Sequence, residues 1–405
     1  MLRVRRRLLA LLLASALAPV SAAAARVDDG ALQTKLARAL SVPHVSPSRS
    51  GALAVDLDTG TPLYAHNEAL PLEPASNEKL AVAFAALSVL GPAYHIPTHV
   101  LGEGELVDGV WEGDLVLQGR GDPTLSTADL RRLARQLVNR GIGEVTGDVV
   151  GDESWFDSAR TAPGWKPWFL INECEPLSAL VVDRDHFRGW VSRTPALSTA
   201  ARFRAVLRSA GIAVDGTFTS HRASPSAVVL AGVASRPLAA IVRFMNRQSD
   251  NFTAEMLLKQ LGAVVGGRGT SAAGAAVVMR ALRQAEVPLA RVRIGDGSGL
   301  SRLDRLTASA LVAILRAAWA DAALRPALLA SLPVAGVNGT LEDRMRRGPA
   351  RGNVFAKTGT TSDASALSGY VRGRYVFAVL QNGRPLPYWW ARVAQDRFAQ
   401  VLAAS

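Results

Sequence analysis

Ser76 and Lys79 are the residues of this chain whose types and spacing best suit covalent chemistry. Three positions apart at the start of a predicted helix, a hydroxyl and an amine share one face about a turn apart, so the amine can take the hydroxyl proton. The positive end of the helix dipole there stabilises a developing alkoxide and disfavours a protonated Lys. An Arg in that place could not be deprotonated, so the residue type itself is informative. Taken alone, the spacing is a weak motif that usually means a capping Ser followed by a solvated Lys. Two further groups add to it. Arg247 to Asn251 fills a polar break between two apolar helical runs, where Ser249 and Asn251 could face a cleft, although the string also reads as a helix N-cap. Lys357-Thr358-Gly359 ends a predicted strand, where a cation and backbone donors could meet a carboxylate; the plain alternative is a strand end with a Gly bulge.

Other chemistries lack their parts. The six His fall in no ligand spacing, so no metal is expected, and nothing calls for a cofactor. No Gly-rich loop ends in Gly-Lys-Ser/Thr and no Gly-x-Ser-x-Gly elbow is present; Gly297-Ser298-Gly299 reads as a turn. The 46 basic residues are 41 Arg and only five Lys, and two of those five are Lys79 and Lys357. Against such a bias toward Arg, a retained Lys suggests a chemical requirement. The single Cys174 can form no intramolecular disulfide and reads as a buried or idle thiol.

The elements that must position these residues follow from pattern. Ala52 to Leu57 and Thr61 to Ala65 read as two strands about a turn, and Leu80 to Leu90, ended by Gly91-Pro92, as a buried helix. From about Pro97 to Ser220 short apolar runs alternate with Gly, Asp and Pro, with helices near Leu130 to Arg140 and Ala200 to Gly211; the run Leu180 to Val182 reads as one of the strands. Helical periodicity returns at Leu238 and continues through Ser271 to Gln284 and Thr307 to Trp319. Strands at Asn353 to Lys357, Ala366 to Arg372 and Tyr375 to Gln381 close the pattern. Two strands at the start and three at the end predict an α+β fold in which both termini build one antiparallel sheet and the middle is a strand-rich insertion.

Four Arg before the apolar run Leu8 to Val20, then Ser21 to Ala25, form a secretory leader with an Ala-x-Ala end, so the chain is expected to be exported to a periplasm or extracellular wall space. Without the leader the net charge falls from +12 to +8. Positive charge on an exported chain suits anionic envelope polymers, and no nucleic-acid-binding signature accompanies it. Peripheral membrane contact is compatible with export, and the sequence carries no signal for oligomeric state.

The motifs stand in the order Ser-x-x-Lys, Ser-Asp-Asn, Lys-Thr-Gly, the signature of penicillin-binding proteins and serine β-lactamases. The long interval from Ser76 to Ser249, with its strand-rich insert, resembles the peptidase S13 family of D-alanyl-D-alanine carboxypeptidase/endopeptidases, the class C low-molecular-mass penicillin-binding proteins. The resemblance also rests on Gly121-Asp122-Pro123-Thr124-Leu125, Val150-Gly151-Asp152-Glu153-Ser154-Trp155-Phe156, Pro176-Leu177-Ser178-Ala179-Leu180 and Asp296-Gly297-Ser298-Gly299-Leu300-Ser301. It implies a five-stranded sheet flanked by helices, assembled from residues 26–96 and 236–405 around an insert at 97–235, with a leader at 1–25. It further implies acylation of Ser76 by a peptidoglycan stem peptide or a β-lactam, with Lys79 as base and Ser249 and Asn251 as relay. Lys357, Thr358, Gly359 and Thr360 would receive the substrate's carboxylate and oxyanion, and Asp152 the amino end of its diaminopimelate. A serine β-lactamase and a catalytically idle wall-binding or β-lactam-sensing protein are the competing readings.

Overall fold

A computed structural model describes residues 29–187 and 189–405; the expected leader lies outside the described residues. The central sheet holds five antiparallel strands in the order Val354–Thr360, Ala364–Val371, Tyr375–Asn382, Ser50–Asp56, Pro62–His66. Both ends of the chain therefore meet in its middle, where Ala54 lies opposite Phe377. Ala364–Val371 is buried at every position and Tyr375–Asn382 at all but Asn382. This continuous burial, rather than an alternating one, follows from cover on both faces. Leu36 and Phe398 of the helices Asp29–Leu40 and Tyr388–Ala404 pack with Phe377 and Val379 on one face. On the other, Leu80, Leu257 and Leu311 of the helices Glu78–Leu90, Asn251–Val265 and Ala308–Ala320 pack with Tyr370 and Val376. Glu78–Leu90 is buried continuously from Glu78 to Leu87, as a helix that is apolar nearly all round must be.

A second sheet is built on the hairpin Pro97–Val107 and Val110–Gly119, turned through Asp108 and Gly109 at positive φ. Val149–Asp152 and Phe218–Ser220 extend it in parallel, and Val228–Ala234 pairs antiparallel on the other side. Helices Thr127–Asn139 and Pro195–Ser209 bury Leu130, Leu133 and Phe203 against Leu115, Leu117 and Val149. The chain enters and leaves this region side by side: Ser235 N donates to Ile96 O and Ile96 N to Ser235 Oγ, each at 2.9 Å.

Two expectations differ from the structure. Leu180 to Val182 forms no strand; it is a buried irregular segment whose Ala179 carbonyl crowds Gly119. The helices at both ends were also not anticipated. The buried face of Tyr388–Ala404, with Ala391, Ala394, Phe398 and Leu402, has helical spacing, but half of it is Ala and carries little hydrophobic contrast.

Candidate active site

Ser76 lies in a 3-10 turn, Ala75–Asn77, that runs directly into the helix Glu78–Leu90. Lys79, fully buried, points its amine back at the turn. Nζ lies 2.9 Å from Ser76 Oγ, 2.8 Å from Asn251 Oδ1 and 2.6 Å from the Ser298 carbonyl oxygen. A neutral amine has two N–H donors and one lone pair. With Asn251 and Ser298 taking the two hydrogens, the lone pair is left for the Ser76 hydroxyl proton. Burial lowers the Lys79 pKa to about 8, against the opposing pull of Asp296, Asp250 and Glu255.

The Ser249 segment is a sharp turn between two helices. Leu238–Gln248 ends with Ser249 in the left-handed region, φ 57°, and Asp250 caps the next helix by accepting from Thr253 N at 2.8 Å. Ser249 and Asn251 thereby face the same cleft. Lys357 Nζ donates to Ser249 Oγ at 2.8 Å and to Thr358 O at 2.7 Å. Lys357 is also fully buried, and burial, then the nearby Lys79 charge, push its pKa well below the usual lysine value. Each of these two buried amines thus touches one hydroxyl, Lys79 that of Ser76 and Lys357 that of Ser249.

Lys357 belongs to the edge strand Val354–Thr360. Ala356 N donates away from the sheet, to Pro333 O at 3.0 Å, so alternation turns the Thr358 and Thr360 backbone to the same open edge. Gly359 lies against the Ser76 turn, where a Cβ would meet Pro74 O at 2.9 Å and Ser76 N at 3.0 Å; only glycine permits this approach. Asn77 Nδ2 donates to Lys357 O at 3.1 Å and ties turn and strand together. Thr358 Oγ1 meets Thr340 Oγ1 at 2.7 Å.

Asp152 is not brought to this cleft. It is buried at the end of Val149–Asp152, where its carboxylate accepts from Gln118 Nε2 (3.0 Å), Ser154 N (2.8 Å) and Ala223 N (3.2 Å). Burial alone would raise its pKa, but these donors hold it below the ordinary value. Trp155 nearby bonds Gln260, nine residues and so about 13 Å along the helix from Asn251. The insert reaches the cleft by another segment. Glu173 O accepts from Asn251 Nδ2 at 2.8 Å, Arg184 ties Asp250 to Glu175, and Lys166 Nζ lies 3.3 Å from Ser362 Oγ. Beside Ala75 this segment closes a recess lined by Lys166, Phe169, Leu300, Arg302 and Asp363. Scarcity of Lys could have drawn attention to Lys166, but the same signal marks Lys259, whose partner is Asp157 at 2.5 Å, away from the site. The Ser298 carbonyl, a backbone atom, left no such sign.

The D-Ala-D-Ala carboxypeptidase 3 (S13) family profile matches residues 32–191 and 179–404. A D-alanyl-D-alanine carboxypeptidase of Actinomadura is 34% identical, the match covering 97% of this chain and 88% of the relative. A carboxypeptidase of Mycobacterium tuberculosis is 33% identical over 81% of this chain and 75% of its own length. The crystal structure of penicillin-binding protein 4 from Haemophilus influenzae superposes with a TM-score of 0.80 at 23% identity, covering 93% of this chain and 99% of that one, and so shares its fold. With a profile spanning nearly the whole described chain and relatives matched over most of their length, this chain belongs to the D-Ala-D-Ala carboxypeptidase 3 (S13) family.

Proposed function

We infer that the chain is a serine-type D-Ala-D-Ala carboxypeptidase of peptidoglycan, able also to cleave D-Ala cross-links, and that Ser76 is its nucleophile. The observation that carries this assignment is the buried Lys79 amine, 2.9 Å from Ser76 Oγ and held by two other acceptors, Asn251 Oδ1 and the Ser298 carbonyl oxygen. Lys79 takes the Ser76 proton as Oγ bonds to the carbonyl carbon of the penultimate D-Ala. The oxyanion is received by the Ser76 and Thr360 N–H groups, donors set before the reaction begins. Lys79 passes its proton by way of Ser249 to the departing amine, and the C–N bond breaks to leave an ester on Ser76. Asn251 holds the substrate amide, while Lys357 and Thr358, with Gly359 letting the strand approach, take the terminal carboxylate. Water, deprotonated by Lys79, then cleaves the ester. A β-lactam follows the same course and stops at the ester.

Asp152 has no part in this assignment; the recess beside Ala75 takes the flanking part of the stem peptide. We place the catalytic domain in 26–96 and 236–405 and the insert at 97–235, with action in the exported envelope space. Labelling with a fluorescent penicillin tests the nucleophile: wild type should label and Ser76→Ala should not, and equal labelling would refute the assignment. D-Ala release from a diaminopimelate pentapeptide then tests the substrate, and rapid turnover of a chromogenic cephalosporin would mark a β-lactamase instead.

A further inference from the structure

Beneath Lys79 lies a group of carboxyl side chains that the acylation steps leave unused. Glu78, Glu255, Asp296 and Asp304 are each fully buried. Three of them suspend the loop 295–301, whose Ser298 carbonyl touches the Lys79 amine. Asp304 Oδ1 accepts from Gly295 N (2.6 Å) and Asp296 N (3.2 Å), and Glu255 Oε1 from Gly297 N (3.0 Å) and Ser298 N (2.8 Å). Asp296 itself accepts from Gly299 N (2.7 Å), Ser301 N (2.9 Å) and Ser298 Oγ (2.9 Å), and from Trp165 Nε1 of the insert (2.7 Å). A loop of this length would ordinarily lie at the surface, because its backbone groups need partners. Here side-chain oxygens supply them, and the loop can be buried with one carbonyl aimed at the amine.

The four carboxyls are not equivalent. Asp296 receives four donors spread over both of its oxygens, so neither is left without a partner. Both oxygens of Glu78, Glu255 Oε2 and Asp304 Oδ2 find no donor. An unpartnered buried carboxylate oxygen is costly, whereas a carboxylic acid supplies its own hydrogen. Burial and the neighbouring Asp296 charge push Glu78 and Asp304 well above the usual carboxyl range and Glu255 to about 8, and Asp304 shares a hydrogen bond with Asp296. The groups facing Lys79 are therefore Asp296 from the loop, Asp250 and Glu255 from the following helix and its cap, Cys174 from the insert, Glu78 from its own helix and Lys357 from the edge strand.

We propose that Asp296 is a positioning residue for the base: it anchors the loop that presents the Ser298 carbonyl to Lys79, and it supplies the buried counter-charge for the ammonium formed when Lys79 takes a proton. Glu78 and Asp304, pushed well above the usual carboxyl range, serve as neutral acids around it at neutral pH. Trp165 extends the device into the insert, so the same carboxylate senses both the base and the segment that covers the cleft.

The proposal rests on Lys79 as the base, and its test reads the amine directly. With only five Lys in the chain, lysine labelled with carbon-13 at Cε gives a spectrum in which Lys79 is assigned by its loss in Lys79→Arg. Removal of an opposite charge destabilises the ammonium, so Asp296→Asn should lower the Lys79 titration midpoint by about one pH unit. The acid limb of penicillin acylation should move with it, and the plateau rate should fall. A lowered plateau with an unmoved midpoint is what a purely structural role gives, and it would overturn the proposal. Asp304→Asn, which keeps the acceptor for Gly295 N and replaces the shared proton by an amide hydrogen, should leave the Lys79 midpoint where it is. A shift there of about one unit would put the charge on the wrong carboxyl, and this is readable even if Asp296→Asn does not fold. If the wild type takes up no penicillin at all, the enzymatic reading fails instead.

Discussion

Replacing Gly299 by Ala should disable acylation while the rest of the fold stands. Gly299 has φ +83°, and a Cβ there would lie about 1 Å inside the closest approach that real side chains make, against the Ala75 carbonyl oxygen, and 3.0 Å from Ser76 N. Both obstacles are backbone atoms, so no side-chain rotation relieves them. The substitution carries two separate costs. A left-handed backbone costs any L side chain about 1–2 kcal/mol. The second cost is displacement: the Ala75–Ser76 peptide must retreat by about 1 Å, and a shift of that size at a reacting group lowers the rate roughly 100-fold. Gly211 separates the two costs, because its φ is +90° and nothing lies within 4 Å of its Cβ position. Gly211→Ala bears the strain without the displacement. The assay is the second-order rate of fluorescent-penicillin labelling for both variants, with thermal unfolding in parallel. Both variants should lose stability and only Gly299→Ala should lose rate. Labelling of Gly299→Ala within about threefold of wild type, or an equal loss in Gly211→Ala, would refute the argument from close approach.

Three further outcomes follow from the same geometry. Acylation should rise about tenfold per pH unit until the Lys79 value of about 8 and then level off, since only the neutral amine accepts the proton; a rate flat across that range would exclude Lys79 as base. Lys357→Ala should raise KM for a D-Ala-D-Ala peptide by about 10–100-fold, and the wild type should show the same loss on the peptide's C-terminal amide; additive losses would mean that Lys357 and the carboxylate do not meet. Asp152→Asn should lower stability by about 1–3 kcal/mol and leave acylation unchanged. Because donors hold the Asp152 pKa below its unfolded value, its contribution is present above the unfolded pKa and fades as pH falls through the folded one, so melting temperatures of wild type and variant should converge in acid.

The Ser76, Ser249 and Lys357 motifs were legible because their chemistry needs particular side chains, and the Lys scarcity made two of those conspicuous. The sheet built from both termini was legible because its strands are short apolar runs at the two ends of the chain. The surroundings of Asp152 were not legible, because its partners Gln118 and Ala223 are remote in sequence. The Ser298 carbonyl was invisible for a different reason: every residue has a carbonyl, and only the carboxyls that hold the loop distinguish this one. Gly297-Ser298-Gly299, read as a turn, is a bend in a buried loop, and its Ser298 carbonyl oxygen accepts from Lys79.

The strand order of the central sheet also fixes when the protein can become reactive. The hairpin that carries Lys357 joins the strand Ser50–Asp56 in the sheet by way of Tyr375–Asn382, which lies between them. Residues near position 54 must await partners more than 300 positions later, contacts of the kind that form late in folding. The second sheet draws all its strands from 97–234 and can assemble without that wait. A growing or partly translocated chain therefore holds its Ser and its base apart from its carboxylate receptor, and the capacity to cut the wall arrives with the last strands.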